Sequence, residues 1–219
     1  MPPDQYVTLG AAVRHEVEIS RSRFIACLFP VADEQLARGR ITALRREFHD
    51  ARHLPSAFVL GPNRNQQRTS DDGEPSGTSG VPILNALTSH VCATGRAELT
   101  DVLAVVVRYF GGIKLGAGGL VRAYGGTVSA ALAHAAMIRR VHLDVLTVHL
   151  PVGSAGRLEA ALRGSGLSVL DVSWPGSECV IEIGFPRQNL DITTDRIAEL
   201  TAGTASITPT PSRWVDLPL

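Results

Sequence analysis

The sequence predicts an α+β protein of two domains, residues 1–140 and residues 141–219. Segments with the apolar spacing of strands and of helices follow one another along the chain. In the second domain they take the order βαββαβ, which is typical of a ferredoxin-like sandwich. The charge balance also changes: residues 1–140 carry 16 basic and 12 acidic side chains, whereas residues 141–219 carry 5 and 9. We therefore expect the first domain to be the better suited to an anionic partner.

Apolar spacing defines the elements of the first domain. Asp33 is a good cap for a helix whose apolar residues recur at helical spacing. Residues 102–107 form an unbroken apolar run, which is typical of a central strand covered on both faces. Residues 61–80 show no apolar periodicity, and loops of that length are usually functional or disordered. The predicted strands lie at residues 12–19, 23–30, 57–60 and 102–107, and the predicted helices at residues 34–48, 81–92 and 120–139.

The second domain is predicted from a shorter pattern. Pro175 and Gly176 form a turn between two apolar segments, so these segments are predicted to pair as a hairpin. Prolines interrupt the final strand. The predicted strands lie at residues 145–151, 167–174, 179–185 and 206–217, and the predicted helices at residues 154–164 and 189–201.

The composition and the motif checks narrow the classes of protein. The N-terminus has neither the basic nor the apolar region of a signal peptide, and no stretch of about 18 apolar residues occurs. The three cysteines, Cys27, Cys92 and Cys179, lie far apart and fit reduced thiols, so we expect a cytoplasmic protein without a membrane partner. The chain has no Walker A, Rossmann, C-x-x-C, H-E-x-x-H or G-x-S-x-G motif. An enzymatic activity is therefore uncertain, and no metal site is assigned.

The first candidate segment, Ser70–Pro82, is dense in carboxylates and glycines. One interpretation is a solvated acidic turn, because Asp-Gly and Gly/Ser clusters favour turns. A second is a cradle, in which the carboxylates hold Mg²⁺ or accept hydrogen bonds while backbone N–H groups approach a ligand. A third is pairing of the acidic side chains with Arg108, Lys114 or Arg122. The candidate ligand-binding residues here are Asp71, Asp72, Gly73, Glu74, Gly77 and Gly80.

The second candidate segment, Arg108–Gly126, joins the buried strand to a glycine loop and a helix. Such a junction binds anions, because free N–H groups and the helix dipole converge there. Lys114 is the only lysine beside 20 arginines, and Tyr109 or Phe110 could stack on a base. The alternative is that the glycines serve only chain reversal and close packing. The candidate ligand-binding residues here are Arg108, Tyr109, Gly111, Gly112, Lys114, Gly116, Gly119 and Arg122.

His53 is one further candidate. It comes just before a predicted strand and could reach the same face as the two loops. A structural histidine with satisfied hydrogen bonds is the alternative. We predict that Asp72 and Lys114 lie on one cleft of the first domain.

The two segments resemble the signature of the YigZ/IMPACT family, and Ser22-Arg23-Phe24 and Ala51-Arg52-His53 are similar to further parts of its pattern. The resemblance covers essentially the whole chain. It rests on Asp71-Asp72-Gly73-Glu74-Pro75-x-Gly77-Thr78-x-Gly80-x-Pro82 and on the run from Val106 to Gly126. Departures are Ser79 and Val81, where alanine and often lysine are expected, and Ala117, where threonine or serine is common. Because Val81 stands where a lysine is often expected, strongly electrostatic RNA binding is less expected here.

The resemblance implies a fold for each domain. The first is expected to have the ribosomal protein S-five domain-two-like α/β fold, and the second to be similar to the ferredoxin-like modules of elongation factor G. Eukaryotic relatives inhibit a translational-control kinase by competing for its activator, which depends on an extra N-terminal RWD domain. Here the resemblance begins near residue 15, so that RWD-dependent partner is not expected.

The sequence is compatible with three functions. The first is a translation-associated regulatory protein that binds RNA or the ribosome through the glycine-rich cleft, as the basic first domain and its aromatic residues suggest. The second is a Mg²⁺-dependent enzyme acting on a phosphorylated or nucleotide-like small molecule, with Lys114 holding phosphate and an acidic side chain holding metal or acting as base. The third is a protein-interaction module in which both segments are structural. No cofactor is established.

Overall fold

The computed structural model describes residues 3–165 and 167–219 and divides the chain into two compact units. The chain up to Arg140, together with Asp216–Leu219, forms the first unit, and Val141–Val215 forms the second. The last residues therefore cluster with the first unit, whereas the sequence placed them in the second domain. The described residues form five α-helices and two antiparallel sheets, which confirms the predicted α+β class.

The strands of the first unit are Gln5–Leu9 (β1), Val13–Ile19 (β2), Ser22–Pro30 (β3), Ser56–Leu60 (β4), Gln66–Ser70 (β5) and Val102–Tyr109 (β6), and its helices are Glu34–Glu47 (α1), Gly80–Ser89 (α2) and Gly116–Ala133 (α3). Five of these strands form an antiparallel sheet in the order β2-β3-β6-β4-β5. Strand β6 lies at its centre because both faces of its apolar run are buried. Strand β1 lies outside this sheet.

Helices cover both faces of this sheet. Phe24, Ala104 and Val106 pack with residues of α2 and α3 in one apolar core. Successive side chains of a strand point to opposite faces, so Val105 and Val107 enter a second core with α1. The side chain of Asp33 accepts a hydrogen bond from the backbone N–H of Leu36 at 2.7 Å and caps α1 as predicted. The three layers hold the end of β6 and the start of α3 in fixed positions.

The second unit contains the predicted βαββαβ order. Its elements are Met137–Pro151 (β7), Val152–Gly164 (α4), Ser168–Ser173 (β8), Glu178–Phe185 (β9), a 3-10 turn at Arg187–Asn189, Leu190–Thr201 (α5) and Ser206–Pro218 (β10). Strand β7 begins in the first unit and continues into the second, where it pairs with β9 and β10, while β8 pairs with β9. Helices α4 and α5 pack against this sheet around Val148, Ile181 and Ile197.

The structure corrects several predicted elements of the first unit. The polar run of residues 61–80 is not one loop, since it contains β5 as an edge strand paired with β4. Helix α3 starts at Gly116 rather than residue 120 and ends at Ala133 rather than residue 139. Strand β1 was not predicted.

Within the described residues, no helix has the length and apolar character needed to cross a membrane.

Candidate functional site

A cavity of about 650 Å³ opens in the first unit where β6 ends and α3 begins. That volume lies in the range of small-ligand sites in proteins, about 300–1,000 Å³. The structure brings six of the predicted site residues together in its walls: His53, Glu74, Arg108, Tyr109, Lys114 and Gly116. The two candidate segments therefore meet in space, although the first contributes only Glu74 from its predicted set.

The floor of the cavity is a buried ion pair. Glu74 Oε1 accepts hydrogen bonds from Arg108 Nη1 at 2.7 Å and from the hydroxyl of Tyr124 at 2.6 Å. The Arg108 and Glu74 side chains are 9% and 3% exposed. Burial, together with the bond to the Glu74 carboxylate, raises the pKa of Tyr124 far above its usual value. Tyr124 therefore stays a neutral donor that holds Glu74 in place.

Two aromatic rings contact the Arg108 guanidinium. Its Cζ lies 5.5 Å from the ring centre of Phe24 and 5.6 Å from that of Phe110, both within the range of cation–π attraction. Phe24 is fully buried, whereas Phe110 is 58% exposed and lines the cavity. The Arg108 Nε–H is buried and has no acceptor among the described residues. Arg108 is thus fixed by stacking as much as by hydrogen bonds.

His53 has a tautomer dictated by its neighbour. Its Nδ1 lies 2.9 Å from the backbone carbonyl oxygen of Asp72, and a carbonyl can only accept. Nδ1 therefore carries the proton, and in the neutral ring Nε2 keeps its lone pair. The backbone of His53 is also fixed, because its carbonyl accepts the N–H of Arg108 at 3.2 Å. His53 can thus present a hydrogen-bond acceptor or a base at the cavity.

Asp72 does not line the cavity, contrary to the predicted cleft with Lys114. Its Oδ2 accepts the backbone N–H of Leu54 at 2.6 Å and an ion-paired N–H of Arg45. Asp72 also has a positive φ of 46°, a conformation that aspartate tolerates better than most residues. The carboxylate is directed toward α1 and the start of β4, and the residue contributes to the site only by fixing His53.

Asp71 is likewise occupied by the protein itself. Its carboxylate accepts the backbone N–H groups of Gly77, Ser79 and Gly80 at 2.8, 3.1 and 2.8 Å, and the hydroxyl of Ser79 at 2.7 Å. Burial alone would raise the pKa of Asp71, but these hydrogen bonds outweigh it and hold the pKa below its usual value. The Asp71 carboxylate lies where α2 begins, so it accepts hydrogen bonds from N–H groups that have no acceptor within the helix.

This arrangement predicts how stability depends on pH at Asp71. A carboxyl with a lowered folded-state pKa adds stability above its unfolded pKa of about 3.9 and loses it as the pH falls through the folded value. We expect Asp71→Asn to reduce the free energy of unfolding at pH 7 by about 2 kcal/mol and to cost less at pH 3. Urea unfolding at both pH values measures this. Asp195→Asn, on the exposed face of α5, is the control, and an Asp71→Asn deficit that is equal at both pH values would contradict the role.

The predicted glycines mostly shape the chain and do not line the cavity. Gly73 and Gly77 have positive φ angles of 85° and 74°, which glycine adopts without strain. A Cβ on Gly80 would come within 3.0 Å of the Ser70 backbone, so this glycine allows α2 to start against the end of β5. Gly111, Gly112 and Gly119 also lie outside the lining.

The N-terminus of α3 forms one side of the cavity. Gly116 and Ala117 line it, no side chain caps the helix, and its first turn has no acidic residue. The first N–H groups of a helix have no acceptor within the helix, and its dipole favours an anion. Arg122 does not line the cavity, but its Nη1 lies 3.6 Å from the Cβ position of Gly118. The positive charge of Arg122 therefore lies beside the first turn.

Asp50 is a cavity residue that sequence reasoning missed. It accepts a hydrogen bond from the Tyr109 hydroxyl at 2.7 Å, which lowers the pKa of Asp50 and raises that of Tyr109. Asp50 immediately precedes Ala51-Arg52-His53, so that short motif was the available signal. Phe110, which the sequence suggested as a stacking ring, also lines the cavity. The lining residues that were not predicted as ligands are Arg52, Pro75, Leu115, Ala117 and Leu120.

Comparisons with known proteins agree on one family. Residues 20–132 match the family described as the Impact N-terminal domain. The chain is 38% identical over 203 residues to "IMPACT family member YvyE" of Bacillus subtilis, covering 92% of this chain and 89% of that protein. It is 34% identical over 206 residues to "IMPACT family member YigZ" of Escherichia coli, covering 93% and 97%.

A solved structure supports the fold over both units. The crystal structure of a protein described as hypothetical superposes with a TM-score of 0.61 at 30% sequence identity. The match covers 95% of this chain and 98% of that one. The resemblance to this family that the two sequence segments indicated is therefore confirmed along nearly the whole chain.

Proposed function

This chain belongs to the IMPACT family, and we propose that it is a cytoplasmic, translation-associated regulatory protein that binds single-stranded RNA, free or in the ribosome, through the cavity of its first unit. One observation carries the proposal: Lys114, the uncapped N-terminus of α3 and the exposed ring of Phe110 border the same cavity. The first two suit a phosphate, and the third suits a base.

The two halves of this site match the two parts of a nucleotide. Lys114 supplies an exposed point charge next to N–H groups that have no helical acceptor. Phe110 offers a stacking face of the kind on which proteins bind unpaired bases. A double helix keeps its bases stacked and paired, so the geometry favours single-stranded RNA over a duplex. The basic excess of residues 1–140 assists encounter with a polyanion.

Removal of Lys114 tests the proposal. Fluorescence anisotropy with an eight-nucleotide single-stranded RNA over a salt series should show binding that weakens as salt rises. Lys114→Ala should weaken binding about tenfold at low salt and reduce the slope of log affinity against log salt by about 0.7, the loss of one phosphate contact.

A matched variant separates the site from net charge. Arg46→Ala removes the same charge from an exposed residue of α1 that does not line the cavity, and this variant should bind as the wild type does. If binding is insensitive to salt, or if both variants weaken it equally, the cavity is not the RNA site.

The volume of the cavity supports a second candidate function, binding or turnover of a phosphorylated small molecule. About 650 Å³ accommodates a single nucleotide. In an enzyme of this kind, His53 Nε2 would accept the proton from the attacking group, since Nδ1 is held by Asp72. Asp71 and Asp72 have their carboxylates directed away, so any Mg²⁺ would be held chiefly by the ligand's phosphates. Thermal-shift assays with nucleotides, with and without Mg²⁺, test it, and unchanged melting temperatures would exclude it.

A further inference from the structure

The buried pair at the floor of the cavity has unused hydrogen-bonding capacity. Glu74 uses Oε1 for both Arg108 and Tyr124, and Arg108 uses Nη1 for Glu74. Among residues 3–165 and 167–219, Glu74 Oε2 and Arg108 Nη2 have no hydrogen-bond partner, although both side chains are at least nine-tenths buried and line the cavity. Neither atom is one of the buried polar atoms that lack a partner, so both reach the open cavity, where a ligand can pair with them.

A buried ion pair of this kind is poor evidence of selection for stability. Apolar residues of similar volume are often as stable or more so, because two charges must be removed from water. Here three further contacts hold the pair rigid: the Tyr124 hydroxyl and the rings of Phe24 and Phe110. A rigid donor and acceptor side by side on a cavity wall is the arrangement that recognises a specific hydrogen-bonding edge.

We propose that Glu74 and Arg108 read the edge of a nucleobase stacked on Phe110, and that they select bases with a ring N–H beside a carbonyl, namely uracil and guanine. The inference rests on the proposed nucleotide-binding function of the cavity and adds its base preference. Arg108 Nη2 donates to the carbonyl oxygen, and Glu74 Oε2 accepts the ring N–H.

The charge of the acceptor decides between the bases. Cytosine and adenine also place a donor beside an acceptor, but their donor is an exocyclic amino group. The ring N–H of uracil or guanine is more acidic, and an ionised acceptor gains most from an acidic donor. A guanidinium donating to a base carbonyl is also among the commonest specific contacts to bases. The acidic ring N–H and the carbonyl that accepts from the guanidinium both favour uracil over cytosine. The two bases otherwise present rings of the same size to Phe110.

Uracil and cytosine oligomers give the cleanest test. With eight-nucleotide U8 and C8 at low salt, fluorescence anisotropy should show U8 binding about tenfold more tightly than C8. Glu74→Gln should bring the two affinities within about twofold, because an amide can offer either a donor or an acceptor to the base. Its melting temperature is measured beside it, and the comparison in the wild type does not depend on that variant folding.

The outcomes separate this inference from the proposed function. Equal binding of U8 and C8 that is still salt-sensitive and weakened by Lys114→Ala overturns base selection and leaves RNA binding in place. Tighter direct binding of UMP than of CMP, without binding of either oligomer, supports base selection and assigns the site to a free nucleotide rather than RNA. If none of U8, C8, UMP and CMP binds, both the base selection and the proposed RNA binding are overturned.

Discussion

Gly111→Ala is expected to produce the most severe destabilisation of any single methyl added to this loop. A Cβ at Gly111 would lie 1.9 Å from the carbonyl oxygen of Arg21 and 2.6 Å from the backbone N of Ser22. These are backbone atoms of the turn between β2 and β3, and they cannot move aside as the end of a side chain can. The native N–H of Gly111 also donates to Ser22 Oγ at 3.1 Å, which holds the two segments together.

We expect Gly111→Ala to reduce the free energy of unfolding by more than about 3 kcal/mol, in the upper range for overpacking. Chemical unfolding followed by circular dichroism measures it. Because this residue leads into Lys114 and the start of α3, the variant should also lose RNA binding. A melting temperature within a degree of the wild-type value would show that the two backbones separate readily.

Two other glycines serve as matched controls for this prediction. Gly112 has a φ of 88° and nothing within 4 Å of its Cβ position, so alanine there is strained without a clash and should cost about 1 kcal/mol. Gly39 lies inside α1 with open space around it, and alanine should stabilise the helix by about 0.5–1 kcal/mol. The predicted order of stability is therefore Gly39→Ala, wild type, Gly112→Ala, Gly111→Ala.

The parts of the fold that could be predicted are those in which local pattern and burial agree. Strand β6 is apolar on both faces and lies between two apolar cores, so its unbroken apolar run was enough to predict a central strand. Strand β5 is the opposite case. All five of its residues are exposed, so no apolar period marks it, and only pairing with β4 makes it a strand. The end of α3 was placed too late because apolar residues from Met137 onward continue the helical spacing into β7.

The candidate site shows a similar division. The two segments could be found because their glycines, charges and aromatic residues are dense and close in sequence. Which carboxylate faces the cavity could not be found, because Asp71, Asp72 and Glu74 are consecutive or nearly so and chemically alike. Partners elsewhere in the chain fix each carboxylate. Asp71 accepts hydrogen bonds at the start of α2, Asp72 accepts them from Leu54 and Arg45, and Glu74 accepts one from Arg108.

Breaking the Glu74–Arg108 pair is the second large effect we expect. Glu74→Ala leaves the Arg108 charge 9% exposed without its carboxylate and leaves the Tyr124 hydroxyl without its acceptor. Removing one partner of a buried ion pair costs about 3–5 kcal/mol, chiefly because the other charge stays desolvated. Thermal and urea unfolding of Glu74→Ala should show a loss of that size, and a loss below about 1 kcal/mol would mean that Arg108 regains water through the cavity.

The matching variant removes all three polar groups together. In Glu74→Leu/Arg108→Met/Tyr124→Phe no buried charge or hydroxyl is left without a partner, so its stability should return to within about 1 kcal/mol of wild type. Lys114 and the N-terminus of α3 are untouched in that protein, so salt-sensitive RNA binding should persist while the difference between U8 and C8 disappears. A folded triple variant that still prefers U8 would locate base recognition elsewhere on the cavity wall. If the triple variant recovers stability but loses selectivity, then apolar residues stabilise the fold as well as the polar pair does. The Glu74–Arg108 pair would then serve base recognition rather than stability.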